Sequence, residues 1–529
     1  KSAGLVDEIV PEGELMTRAR DWVLNASDAD IVKPWDQKGW KMPGGAPYHP
    51  AGFMTFVGAS AMINGKTKGV YPAAKALLSS IYEGALVPFD TALKIEARWF
   101  TSILMDPTSS AMIRSLFVNK QALEKGANRP KVADETVKKV GILGAGMMGA
   151  GIALVSAQAG IEVVLIDRDQ EAADKGKAYT ETYLDKGIKR GKVTAEKKEA
   201  MLARITATPD LDHLKGCDLI IEAVFEDMDL KKQIFTDLDR IAKPGAILAT
   251  NTSALDIDEI ASVTKRPEDV IGLHFFSPAN VMKLLEIVRA DHTADDVIAT
   301  SMDLAKTINK IATLVGVCPG FVGNRILFAR QAQAQKLVYQ GAMPWDVDAA
   351  LNAFGFRMGP YQMSDLAGLD IGWKKGAKTA NPIRDALCEL DRRGQKTGAG
   401  YYDYDENRRP VPSDVTAKII ADVTGVEPGG APGQDEIIAT CIYPMINEGL
   451  KILEEKKAQR ASDIDIVWLN GYGWPADKGG PMLYGDMVGA EAVLATMEKL
   501  GADDDRFAPC ETLKRLAADG GRFIDVQPG

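Results

Sequence analysis

Apolar and polar positions run through three textures along this chain. Over residues 12–29 and 51–127 the apolar residues recur at helical spacing, most clearly over 92–105, and a Pro/Gly/Trp-rich break separates the two stretches at 33–50. Tyr71-Pro72 opens one of these helices, because proline suits a first turn. A polar stretch at 127–135 reads as a linker. Between 136 and 316, short apolar runs alternate with helical patterns. The runs are 140–143, 163–166, 217–224 (CDLIIEAV), 246–250, 270–276 (VIGLHFF) and 284–288, and 172–190 is a long charged helix. That alternation predicts a mostly parallel, doubly wound sheet whose strand ends face one crevice. From Pro319 onward the texture is helical and repeats itself. WDVDAAL (345–351) matches SDIDIVW (462–468), Phe354-Gly355 matches Tyr472-Gly473, and Gly359-Pro360 with Asp365 and Gly368 matches Gly480-Pro481 with Asp486 and Gly489. A Gly/Pro-rich connector, 425–435, separates the two copies.

The most specific stretch is 140–167, VGILGAGMMGAGIALVSAQAGIEVVLID. It reads as strand, glycine turn, small-residue helix, strand and acid. Gly144 permits the tight turn, Gly146 lets backbone approach a pyrophosphate, and Gly149 lets the helix lie close to the sheet. The helix N-terminus offers free N–H groups and a partial positive charge to phosphates. Asp167 stands where a carboxylate accepts ribose hydroxyls and repels a 2′-phosphate, which favours NAD over NADP, with Arg168 beside it as a solvated side chain. The fold class that follows is an α/β Rossmann-type doubly wound sheet domain, followed by two related all-α domains and preceded by a helical segment.

Bulk properties narrow the field. The 529 residues are 46% hydrophobic, enough for several cores, and the net charge of −10 argues against broad binding to nucleic acid or membrane surfaces. No uncharged apolar stretch is long enough to predict a membrane span. The five cysteines are scattered without a CxxC pair and read as reduced thiols, and the four histidines form no metal-ligand pattern. These features suit a bacterial cytoplasm. The chain begins at Lys1 with no signal peptide and reads there as the continuation of a longer polypeptide.

Oxidising an alcohol with NAD requires a base for the hydroxyl proton and a group to hold that base. His274, at the end of an apolar strand, is the candidate base, since imidazole titrates near working pH. Glu286 closes the LLE of the next strand, an odd place for a carboxylate unless it has a partner, and the two make a base-plus-orienter dyad. Ser253 follows a strand and suits either the substrate oxygen or the nicotinamide ribose; on local grounds it equally reads as an N-cap for 255–262.

The ordered segments GILGAGMMGAGIA, EAVFED, ATNTSALDI, IGLHFFSP, LLEIV and GVCPGFVGNRI (316–326) resemble the L-3-hydroxyacyl-CoA dehydrogenase family, and GQKTGAGYY (394–402) is similar to the end of that family's first helical domain. The resemblance spans about 136–425. It implies oxidation of (S)-3-hydroxyacyl-CoA to 3-ketoacyl-CoA, with His274 as the base, Glu286 as its partner, and Ser253 and Asn324 on the substrate. It implies NAD contacts from Met148, Asp167, Glu226 and Lys231, with Ser277 standing where the family often has Asn. Lys186, Lys189, Arg190 and Lys192 form a basic cluster that is read either as a site for CoA phosphates or as a solvated helix face. The second helical repeat is similar to multifunctional β-oxidation proteins, and 3–11 (AGLVDEIVP) resembles the end of a crotonase-type enoyl-CoA hydratase domain. The implied organisation is a hydratase remnant (1–45), a helical linker (46–134), an NAD-binding domain (135–318) and two helical domains (319–425 and 426–529). Dehydrogenase activity is expected here, hydratase activity only in a longer parent chain, and a thiolase subunit is the implied partner. Two other readings stay open at this point: a lysine-based hydroxyacid dehydrogenase of similar layout, and an NAD-binding scaffold.

Overall fold

The computed structural model describes residues 6–133, 136–376 and 378–529, with only the backbone of Pro34, so residues 3–5 of the hydratase-like segment lie outside it. The chain divides into two compact units, one ending at Ser110 and one starting at Ala111.

The first unit is helical, with Leu15–Asn25, Pro50–Thr67, Pro72–Gly84 and Phe89–Met105 as its main elements. Pro50 and Pro72 sit in first turns, where their missing N–H costs nothing. The helices Pro72–Gly84 and Phe89–Met105 pack on one another, and Trp99 Nε1 donates to Glu83 across them at 3.2 Å.

The second unit is built on an eight-stranded sheet: β1 (Lys139–Leu143), β2 (Glu162–Ile166), β3 (Ile205–Thr208), β4 (Leu219–Glu222), β5 (Ile247–Thr250), β6 (Val270–Phe275), β7 (Leu284–Arg289) and β8 (Ile311–Gly316). The order is β3-β2-β1-β4-β5-β6-β7-β8, and every neighbouring pair is parallel except β6–β7. The reversal at β7 follows from the short link after β6, too short for the crossover that a parallel partner requires. Helices α1 (Met147–Gln158), α2 (Gln170–Lys189), α3 (Met228–Ile241) and α4 (Asp295–Thr307) cover the sheet. Alternate residues of β2 feed separate cores, Val163 and Leu165 on one face, Val164 and Ile166 on the other. Each such fully buried aliphatic side chain contributes about 1.5–3 kcal/mol.

The repeat noted in the sequence becomes a repeated cap. In the first copy, α5 (Gly323–Tyr339), α6 (Pro344–Phe354) and α7 (Pro360–Ala367) follow one another, and buried Asp348 on α6 accepts the Tyr361 and Gln362 amides that open α7. In the second copy, after α8 (Gln434–Glu454), buried Asp465 on α9 (Ala461–Gly471) accepts the Met482 and Leu483 amides that open α10 (Pro481–Val488). The Gly-Pro pairs have a steric reason. A Cβ on Gly359 would lie 2.2 Å from the Asp348 carboxylate, and one on Gly480 would lie 2.3 Å from that of Asp465. Burial pushes the Asp348 carboxyl up to about 6 and raises Asp465 as well. Among the described residues no helix is long and apolar enough to cross a membrane.

Candidate active site and cofactor cradle

The cofactor end of the sheet is set by the glycine turn. A Cβ on Gly149 would sit 1.8 Å from the Gly144 carbonyl oxygen, so only glycine allows α1 to start this close to β1. A Cβ on Gly146 would meet nothing within 4 Å, which leaves its face open. Gly146 is the N-cap of α1 and contributes no side-chain cap, so the first-turn amides point at that open face. The Asp167 carboxylate is held at the rim, Oδ2 accepting from Ala145 N and Oδ1 from Arg168 N, both at 2.7 Å. Each oxygen keeps a lone pair for a ribose hydroxyl. Met148 is half-buried in the turn, and Ser277 is exposed, its Oγ 3.9 Å from Met147 Sδ. An uncapped helix end beside an anchored acid fits a dinucleotide.

His274 and Glu286 are register partners across the β6–β7 ladder, so their side chains rise side by side from one face of the sheet. Glu286 is fully buried, and its Oε2 accepts from His274 Nδ1 at 2.7 Å. Its Oε1 accepts the Gly323 amide at the first turn of α5 at 2.9 Å. One carboxylate therefore joins the strand-borne imidazole to the opening of the helical region. The ring packs on Phe276 and Phe321, with centroids at 4.4 and 5.7 Å. With Nδ1 committed, Nε2 is the nitrogen left for chemistry.

Ser253 and Asn324 are joined as well, Asn324 Nδ2 donating to the Ser253 carbonyl at 3.3 Å. Ser253 does not cap the following helix: Asp256 does, accepting the Asp258 and Glu259 amides. Glu226 Oε1 instead accepts Thr252 Oγ1, Ser253 N and Ser253 Oγ at 2.7, 2.8 and 3.0 Å. Burial pushes the Glu226 carboxyl up, but these bonds and the charge of Lys231 outweigh it and hold it below the usual range.

Lys231 is a buried strut. Its ammonium donates to both oxygens of Glu222 at 2.7 and 2.8 Å and lies 3.4 Å from Glu226, leaving only 1% of the side chain exposed. It reaches the cofactor side through Glu226. Lys186, Lys189, Arg190 and Lys192 are exposed at the far end of α2, which runs about 28 Å from its start beside Asp167.

Tyr472 is the residue that sequence reasoning missed. Its hydroxyl donates to Asn324 Oδ1 at 2.7 Å, and its ring meets Phe276 edge-on at 5.3 Å. A Cβ on Gly323 would fall 2.5 Å from that ring, so the Gly323 amide reaches Glu286 only because the residue is glycine. The signal was in the repeat: Tyr472 stands where the first copy has Phe354, and the hydroxyl is the difference. A Tyr472→Phe variant is expected to raise the KM for an acyl-CoA substrate about three- to tenfold, the worth of one hydrogen bond, with the NADH Kd unchanged. Steady-state kinetics with a fluorescence titration of NADH measures both.

Residues 139–318 match the NAD-binding domain model of 3-hydroxyacyl-CoA dehydrogenase, and 320–404 and 437–522 match its C-terminal domain model, once for each helical copy. A peroxisomal bifunctional enzyme of Cavia porcellus is 39% identical over 85% of this chain, which spans 66% of that relative's length. A fatty acid oxidation complex subunit alpha of Shewanella loihica is 33% identical over 99% of this chain and 74% of its own. Among solved structures, the dehydrogenase part of multifunctional enzyme 1 from C. elegans aligns at TM-score 0.55 and 33% identity, covering 75% of this chain and 96% of that one. The 3-hydroxybutyryl-CoA dehydrogenase of Escherichia coli aligns at TM-score 0.63 and 28% identity, covering 73% and 99%. With both domain models matched in order around the dyad and the glycine cradle, the chain belongs to the 3-hydroxyacyl-CoA dehydrogenase family, NAD-dependent oxidoreductases of fatty-acid oxidation.

Proposed function

We propose that this chain oxidises (S)-3-hydroxyacyl-CoA to 3-ketoacyl-CoA with His274 as the general base. The observation that carries the reading is the buried 2.7 Å bond between His274 and Glu286 at the strand ends beside the cradle. NAD, when bound, supplies the hydride acceptor. His274 Nε2 takes the proton of the C3 hydroxyl, and the imidazolium so formed is held by the Glu286 carboxylate. Ser253 and Asn324 orient the substrate oxygen. Gly144, Gly146 and Gly149 shape the pyrophosphate seat, Asp167 takes the ribose hydroxyls, and Met148, Glu226 and Ser277 line the route between them. Phe276 and Phe321 keep water from the imidazole.

The domain boundaries expected from the sequence, with 1–45 as a hydratase remnant and 46–134 as a linker, belong to the same proposal. So do a thiolase partner and a bacterial cytoplasmic setting, the latter supported by five buried, unpaired cysteines. The test is a steady-state assay of the full chain with acetoacetyl-CoA and NADH. Turnover on the order of 1–10³ s⁻¹ is expected. A chain that binds NADH and never oxidises it in this assay is a scaffold, and the proposal fails.

A further inference from the structure

At the end of the sheet where β6 finishes and β7 and β8 begin, the same end as the glycine turn, the helix Asn119–Glu124 with its following turn, α4 and the start of β8 line a cavity of about 370 Å³. Met302, Ile311 and Leu123 give it an apolar wall, and Lys125 and Lys306 stand exposed at its rim. Lys310 lines it too and is 92% buried, as the 8% exposure of the residue shows. Its Nζ donates to the carbonyl oxygens of Ala279 and Met282, the latter at 2.6 Å. Among the described residues no carboxylate forms an ion pair with it: Asp303, in the same cavity, is taken by Arg129 at 2.8 Å.

Two carbonyl acceptors suit a neutral amine. It spends both hydrogens on them and keeps its lone pair free, whereas the ammonium has a third hydrogen to place in a buried setting. Burial, with Lys283 adding repulsion, holds Lys310 down to about 8. The charged groups around it are Glu124, Lys125 and Arg129 on one wall, Asp303 and Lys306 on α4, and Lys283 ahead of β7.

We propose that Lys310 is an acylation site for acyl-CoA thioesters. The Nζ lone pair attacks the thioester carbonyl, the C–N amide bond forms and the C–S bond breaks. The electron pair leaves on the CoA thiolate, and the proton lost from nitrogen neutralises it. The rim lysines attract the CoA phosphates and the apolar wall takes the acyl group. The acyl amide retains one N–H where the amine had two, so one of the Ala279 and Met282 carbonyls loses its donor. The segment they belong to follows directly on β6. It carries Ser277, and its Ala279 lies against α1, 3.0 Å from where a Cβ on Gly151 would be. Acylation therefore loosens the wall of the cofactor cradle and lowers NADH affinity, a brake set by accumulated thioester.

The donor class is that of the proposed substrate, so the inference leans on that reading. Acetyl-CoA separates the two, because it has no 3-hydroxyl to oxidise and any acylation it causes is independent of turnover. The full chain is incubated with acetyl-CoA between pH 6 and pH 10, and acetylated lysines are quantified by peptide mass spectrometry. Lys310 is expected to react about tenfold faster than Lys125 or Lys306 at pH 8, its rate levelling off above pH 8 while theirs keeps rising. NADH Kd of the acetylated protein is expected to rise about three- to tenfold. Lys310→Arg, which keeps two donors for the carbonyls and cannot be acylated this way, holds its NADH affinity through the same treatment. Lys310 left unmodified while the rim lysines acetylate overturns the proposal, as does acetylation of Lys310 with an unchanged NADH Kd. The wild-type time course decides between these even if the arginine variant does not fold.

Discussion

Replacing His274 with alanine is expected to lower kcat about a thousandfold while NADH binds as before, since a positioned general base contributes roughly 10²–10⁴ to rate. The expectation rests on commitment of the ring. Nδ1 is used by Glu286, the faces are covered by Phe276 and Phe321, and only Nε2 is left to exchange a proton. Alanine also leaves Glu286 as a buried carboxylate with a single remaining partner, the Gly323 amide, so some loss of stability accompanies the loss of rate. His274→Gln separates the two effects. Its amide N–H is able to serve Glu286 and most of the ring volume is filled, but it takes no proton. Equal loss of kcat in both variants, with thermal stability recovered in the glutamine variant, assigns the rate to proton transfer. Near-normal turnover in either one removes the imidazole from the mechanism and returns the question to a lysine-based enzyme.

Much of this site was legible because it lies on elements with a strong period. The runs 140–143 and 163–166 and the glycines between them stand as β1, α1 and β2, and the runs 270–276 and 284–288, which carry His274 and Glu286, stand as β6 and β7. The repeat in the helical region was legible because each copy needs the same pairing, an aspartate one helix back and a glycine leaving room for it. Two strands escaped notice for physical reasons. β3 is a four-residue edge strand with two threonines, exposed or half-exposed beyond Ile205, and β8 is buried only in its middle. The direction of β7 was not legible, since periodicity carries no sign. Yet that reversal is what sets His274 opposite Glu286. The burial of Lys231 was not legible, because it depends on Glu222, a carboxylate at the end of β4 whose partners come from α3, β5 and the turn after β4. Tyr472 was missed because it arrives from 148 residues beyond Asn324, a distance no local pattern spans.

Glu286→Gln is expected to reduce kcat by roughly a hundred- to a thousandfold without weakening the fold, and this is the sharper test of the dyad. Gln is nearly isosteric with Glu, and its carbonyl oxygen can still accept the Gly323 amide that Oε1 accepts now. What changes is the atom facing Nδ1. A carboxylate oxygen there only accepts, so Nδ1 carries the hydrogen and Nε2 is free to take the substrate proton. An amide –NH₂ there donates, so the neutral ring moves its hydrogen to Nε2, the wrong tautomer for a base, and the imidazolium loses its counter-charge. Stability moves the other way from activity. A fully buried carboxylate costs desolvation that an amide does not, so thermal unfolding of the glutamine variant should come at the same temperature or higher. If the pair acts as one unit, the double variant His274→Ala/Glu286→Gln loses no more rate than His274→Ala alone, because a carboxylate whose only catalytic role is to hold the ring has nothing left to hold. Additive losses in that cycle show Glu286 reaching the reaction by another route, through the Gly323 amide and the opening turn of α5.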